Sequence, residues 1–121
     1  MRGILVSTDK TYRIIDVSVG QLGSLIGGFI VCENLYFAHL EERIPKTVHL
    51  VRRNSEIVSN YIPANSYATK LVNPEHNLSS FIVGNVFILE KQDNDFVGLN
   101  DDNMKFMIND LITNGYKEVT L

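Results

Sequence analysis

Cys32, His39, His49 and His76 are the side chains with the widest chemical range in this sequence. A catalytic thiolate needs an electropositive, partly exposed setting. Cys32 instead lies in the apolar run 29–33, where a free cysteine behaves as a small buried hydrophobe. The histidines stand ten and twenty-seven residues apart. None has the i, i+4 spacing of a helical metal pair, and no second cysteine completes a zinc site. His39 beside Glu41 and Glu42 reads as a solvated charge run. General acid and base work needs two carboxyl groups in unlike environments, whereas Asp93 with Asp95 reads as a turn between strands and Asp101 with Asp102 as helix-start charges. These residues predict no catalytic group, no metal and no cofactor. A small hydrolase or transferase built on Cys32 or a histidine therefore ranks last among the readings.

The glycines Gly20, Gly23, Gly27 and Gly28 invite comparison with a phosphate-cradling loop. Such a loop precedes the helix whose free N–H groups meet the anion, and here the double glycine follows a helix. Neither the dinucleotide fingerprint nor the Walker pattern is matched. More telling is the stretch 62–70, IPANSYATK, which sets Asn65, Ser66, Tyr67, Thr69 and Lys70 on one irregular turn. Two readings of it stand. In one, Arg52, Arg53, Asn65, Tyr67, Thr69 and Lys70 form a ligand site, the arginines pairing phosphates and the others supplying polar or stacking contacts. In the other, Asn65 caps the turn by bonding its own backbone.

The elements that position these residues follow from periodicity and caps. Residues 2–7 and 11–17 are rich in β-branched side chains and flank Asp9 and Lys10, as in a hairpin. Ser18 and Gln21 have the spacing of a capping box and open a helix, with Leu22, Leu25 and Ile26 on one face. Gly27 and Gly28 end it, one of them in the left-handed conformation, before a strand over 29–33. Residues 34–46 are ambiguous between a helical turn and an irregular edge. A second hairpin is expected from 47–53 and 56–61, joined through Asn54 and Ser55. A turn leads from Pro63 into a short helix ending near Val72, and a loop follows at Asn73, Pro74 and His76. Residues 81–89 are apolar almost throughout and read as the central strand, buried on both faces, with a bulge or close approach at Gly84. Asn100 caps a last helix whose buried stripe is Met104, Met107, Ile108, Leu111 and Ile112. Gly115 stops it, and 116–121 adds a short strand.

The expected fold class is thus α+β: one domain over 1–121, with a mainly antiparallel sheet of about five to seven strands, a short helix after the second strand and a longer C-terminal helix packed on it. The chain has 121 residues, 45% hydrophobic and 21% charged, enough to build a core without covalent staples. A single cysteine excludes an intrachain disulfide. No segment approaches the roughly 20 apolar residues of a membrane span, so the cytoplasm is the expected location and no membrane partner is expected. The net charge of -3 conceals an asymmetry. Residues 43–70 carry Arg43, Lys46, Arg52, Arg53 and Lys70 against Glu56 alone, whereas from Glu90 onward seven acids face three lysines. Indiscriminate nucleic-acid binding needs a broad basic face; a compact anion needs only a local one.

The order of motifs, QLGSLIGGFI over 21–30, IPANSYAT over 62–69, FIVGNVFIL over 81–89 and GLNDDNMKFMINDL over 98–111, resembles the domain-of-unknown-function family numbered thirty-eight forty-six. That family is spread through phages, plasmids and bacteria. Gly27, Gly28, Phe29 and Ile30 match its first block, Pro63, Asn65, Ala68 and Thr69 its second, and Val83, Gly84 and Val86 its third. The resemblance implies a phage or mobile-element setting, within a host cytoplasm, and no particular reaction. The leading expectation is a non-catalytic binding module that occupies a host protein or sequesters a small anionic ligand, with counter-defence as a role. The alternative is a nucleic-acid-associated regulator in which Arg43, Lys46, Arg52 and Arg53 lie along a phosphate backbone. A homo-oligomer is compatible with either.

Overall fold

The computed structural model describes residues 1–35, 47–54, 62–72 and 82–119. Strands β1 (Arg2–Val6) and β2 (Thr11–Asp16) form the expected N-terminal hairpin. The chain then makes a 3-10 turn, Val19–Gln21, before helix α1 (Leu22–Ile26). Gln21 Oε1 accepts the Ser18 N–H at 2.9 Å, while the Gln21 N–H goes to the Ser18 carbonyl at 3.0 Å. That tight i to i+3 bond is why the start is 3-10 and the α-helix is only one turn long. Gly27 ends α1 at φ +95°, and β3 (Ile30–Asn34) follows.

Strand β4 (Val48–Arg53) pairs with β3 on one side and β5 on the other. Both of its edges are thereby taken, and the hairpin partner expected at 56–61 lies outside the described residues. Helix α2 (Ser66–Val72) follows the turn at Pro63. The central strand β5 runs over Val86–Gln92, later than the 81–89 read from the apolar run. Gly84, at φ +76°, turns the chain. Val83 before it makes only an isolated bridge to Ala64. The apolar character of Ile82 and Val83 reflects burial in the approach to the strand rather than the strand itself. Strand β6 (Asp95–Val97) folds back on the end of β5, α3 (Asp101–Thr113) follows, and β7 (Lys117–Glu118) closes the order.

Among the described residues the sheet order is β3-β4-β5-β1-β2-β7, with β6 on the end of β5. Each pairing is antiparallel except β2 with β7. Period-two alternation divides the strands between two cores. Ile4, Val6, Val48, Leu50, Val86 and Ile88 pack under α2 and α3 with Tyr67, Leu71, Met104, Met107 and Leu111. Leu5, Val51, Phe87 and Leu89 pack under α1 with Leu22 and Ile26.

Asn100 caps α3 as expected, its side chain accepting the Asn103 N–H at 2.8 Å. The stripe differs from its sequence pattern. Ile108 is half-buried and Ile112 is exposed, while Asn103 is buried and its Nδ2 has no hydrogen-bond partner among the described residues. None of the described helices is long and apolar enough to cross a membrane.

Candidate functional site

The six residues singled out by sequence fall into four groups. Asn65, Tyr67 and Thr69 are buried. Asn65 Nδ2 donates to the Gly84 carbonyl at 3.0 Å and the Val6 carbonyl at 3.3 Å, and its Oδ1 accepts the Ala68 N–H at 3.1 Å. Thr69 Oγ1 donates to the Asn65 carbonyl at 2.9 Å and accepts the Ile82 N–H at 3.0 Å. Tyr67 O–H donates to Asp110 Oδ2, and its ring lies 5.2 Å from that of Tyr116. Burial first, then the bond to Asp110, that carboxylate's charge and the neighbouring Tyr116 push the Tyr67 hydroxyl well above its ordinary 10.0. These side chains are committed to the fold: Asn65 closes the turn as the second reading expected, and also reaches the β1 backbone. Lys70, on the same helix, is exposed.

The arginines form the other two groups because adjacent residues of a strand point to opposite faces. Arg52 shares its side of β4 with Val48 and Leu50. It is paired with Glu33 of β3, Nε at 3.0 Å and NH2 at 2.8 Å from Oε1, while NH1 donates to the Arg53 carbonyl at 3.0 Å. Its charge is already answered. Arg53 shares the side of Val51, under which α1 packs. Its guanidinium lies over the double glycine that ends α1. A Cβ built on Gly27 would stand 3.5 Å from NH1 and 3.9 Å from Cζ, and one built on Gly28 would stand 4.0 Å from both Nε and NH2. The guanidinium group therefore lies beside these two residues, just past the end of α1. Its stem passes Gly84, whose added Cβ would be 3.9 Å from Arg53 Cδ and 3.5 Å from Ile62 Cγ2.

The corner is held from behind. Gly84 N–H donates to the Pro63 carbonyl at 2.9 Å, and Asn65 holds the Gly84 carbonyl. Residues from all three motif blocks, Gly27 with Gly28, Pro63 with Asn65, and Gly84, thus meet around the end of β4. Among the described residues, no carboxylate or hydrogen-bond acceptor engages the Arg53 guanidinium, and the ion pairs are Arg52 with Glu33 and the N-terminal ammonium with Asp16.

Cys32 and His49 share the α1 side of β3 and β4 without forming a nucleophile and base. Burial first pushes the Cys32 thiol up, Lys91 opposes this and Glu33 adds to it, while His49 Nδ1 donates to the Thr47 carbonyl at 2.7 Å. Among the described residues no three of His, Cys, Asp and Glu gather as metal ligands. His39, His76, Arg43 and Lys46 lie outside the described residues.

Sequence reasoning grouped Arg52 with Arg53 because they are adjacent. Strand alternation was the available signal that they part. Gly27, Gly28 and Gly84 were read as caps and bends, and nothing in their spacing links them to Arg53 before the register of β3, β4 and β5 is known.

The fold is α+β, built on one sheet, with Arg53 at the end of β4 lying beside the glycines that end α1 and beside Gly84 ahead of β5. A scan against protein-family models found no match, and searches of curated proteins and solved structures likewise found none.

Proposed function

We propose that this chain is a non-catalytic binding module that sequesters a small anionic ligand, with Arg53 as the anchoring cation. The observation that carries the reading is the contrast between neighbours: Arg52 is consumed by Glu33, whereas Arg53 rests on two glycines and, among the described residues, faces no counter-charge. A guanidinium free of a counter-charge presents its planar fork of donors to phosphate or carboxylate oxygens. Asn65 and Thr69 act here as positioning residues, through Gly84 and Ile82, rather than as ligand contacts. The family resemblance supplies the setting, a phage or mobile element acting in a host cytoplasm, where withdrawing an anionic ligand from the host would serve counter-defence. The nucleic-acid reading draws less support, because Arg52, one of its four cations, is ion-paired.

Isothermal titration with inorganic pyrophosphate tests the reading. Wild-type protein binds saturably, Arg53→Ala weakens binding at least about tenfold, as expected for loss of a charge-assisted contact, and Arg52→Ala retains binding while melting at a lower temperature. Binding that survives Arg53→Ala, or that depends on Arg52 instead, would refute it.

A further inference from the structure

Among the described residues β3 is an edge of the sheet, with β4 on one side and no strand hydrogen-bonded to the other. The register fixes which of its backbone groups stay open. The Phe29 carbonyl accepts the Asn54 N–H at 2.8 Å, so Phe29, Val31 and Glu33 turn their backbone groups toward β4. The alternate residues Ile30, Cys32 and Asn34 turn theirs outward. Such a row of donors and acceptors is a template for one more strand.

The two faces beside this edge differ in chemistry. Ile30 is the register partner of Arg53 and shares its side of the sheet, where the guanidinium has, among the described residues, no counter-charge. Phe29 and Val31 belong to the other side, and Phe29 is 89% exposed. A lone exposed apolar residue needs no explanation by itself, and no small molecule can hold Phe29 and Arg53 together, because the sheet separates them. An extended peptide can use both, since its side chains alternate between the two faces. A residue laid opposite Ile30 would stand about 10 Å from the Arg53 Cα, two strand spacings away, within the combined reach of an arginine and a carboxylate side chain. Its two neighbours would face Phe29 and Val31. We infer that the outer edge of β3 docks, antiparallel, an extended segment of a partner protein with the alternation apolar, acidic, apolar, its carboxylate on Arg53 and its apolar side chains against Phe29 and Val31. This goes beyond a free anion and rests on the anion-binding reading for its anchor. Main-chain bonds to Ile30 and Cys32 supply affinity, and the alternation supplies specificity.

The probe is the blocked peptide acetyl-Ser-Thr-Val-Glu-Val-Thr-Ser-amide, in which the glutamate takes the face opposite to both valines. It is added to the protein while backbone amide resonances are followed, and inorganic pyrophosphate is titrated separately. The expected result is saturable movement of the Ile30 and Cys32 amides, reversed when pyrophosphate is added. Glutamine in place of the peptide glutamate, or Arg53→Ala in the protein, should each weaken peptide binding roughly tenfold, as for loss of a charge-assisted contact. Phe29→Ser should weaken it too, and methylating the glutamate N–H, which removes a main-chain bond to Ile30, should abolish it. If pyrophosphate binds through Arg53 but the peptide leaves the β3 amides unmoved, or if the glutamine and N-methyl peptides bind as well as the parent, the strand assignment fails while the anion site stands. If neither pyrophosphate nor peptide responds to Arg53→Ala, both fail.

Discussion

Arg52 and Arg53 show how far apart in chemistry two neighbouring identical side chains can be. One spans from β4 to Glu33 on β3 and holds strands together; the other lies on the opposite face, over the end of α1. The same lesson applies at Asn65, whose polarity is spent on three backbone groups, those of Val6, Gly84 and Ala68. Replacing it with Ala strands buried donors and acceptors that water cannot reach. Asn65→Ala is expected to lower the unfolding free energy by about 2–5 kcal/mol, read from urea denaturation. Asn65→Asp fares no better, because it sets an anionic oxygen against the Val6 and Gly84 carbonyls. A variant with unchanged stability would show that the turn closes without this side chain. Asn65 itself was legible in the sequence as a turn residue, since a short polar side chain after Pro63 bonds its own backbone. Its reach to β1, 59 residues earlier, was not, because local spacing carries no information about which strand passes behind a turn.

Among elements, the hairpin of β1 and β2, the stop at Gly27, the short helix α2 and the capped helix α3 were each legible, because their signals are local. The limits of β5 were not. Hydrophobicity marks burial, and Ile82 and Val83 are buried whether or not they pair in a ladder; only the backbone turn at Gly84 separates them from the strand. The stripe of α3 slipped for a related reason, since Asn103 occupies a buried position that the pattern assigned to apolar residues while Ile112 faces solvent. At the β1–β5 contact, Gly3 carries a constraint of its own. A Cβ there would overlap both the Ile88 carbonyl oxygen and the Phe87 ring. Neither can yield cheaply, one being backbone and the other fully buried. Gly3→Ala should therefore force β1 away from the central strand and cost about 1–3 kcal/mol or more, visible as a lower thermal midpoint. A midpoint equal to wild type would show that β1 and Phe87 are less tightly apposed than described.

At the scale of the whole molecule, the core under α2 and α3 gives stability a predictable response to alkali. Tyr67 is raised by burial and by its bond to Asp110, Tyr116 mainly by burial against an opposing bond from Ser66, and Tyr12 by burial and Glu118. For groups whose folded-state values exceed their unfolded ones, the stabilisation is fully present below the unfolded value near 10.0 and is lost as pH climbs above it. Unfolding free energy should accordingly show no tyrosine-linked loss at neutral pH and decline above about pH 10. Tyr67→Phe should shrink that decline while costing about 1–2 kcal/mol at neutral pH for the lost bond to Asp110. An unaltered alkaline slope in Tyr67→Phe would place the responsible group elsewhere.

The claim on which this account turns is that the Arg53 guanidinium, seated on the double glycine, is where an anion lands. It is tested most directly by following arginine Nε–H resonances while inorganic pyrophosphate is added to the wild-type protein. The Arg53 signal should move and saturate, together with the amides of Gly27 and Gly28, while the Arg52 signal stays fixed by Glu33. A stationary Arg53 signal, with shifts at Arg52 or at none of these groups, would contradict the account.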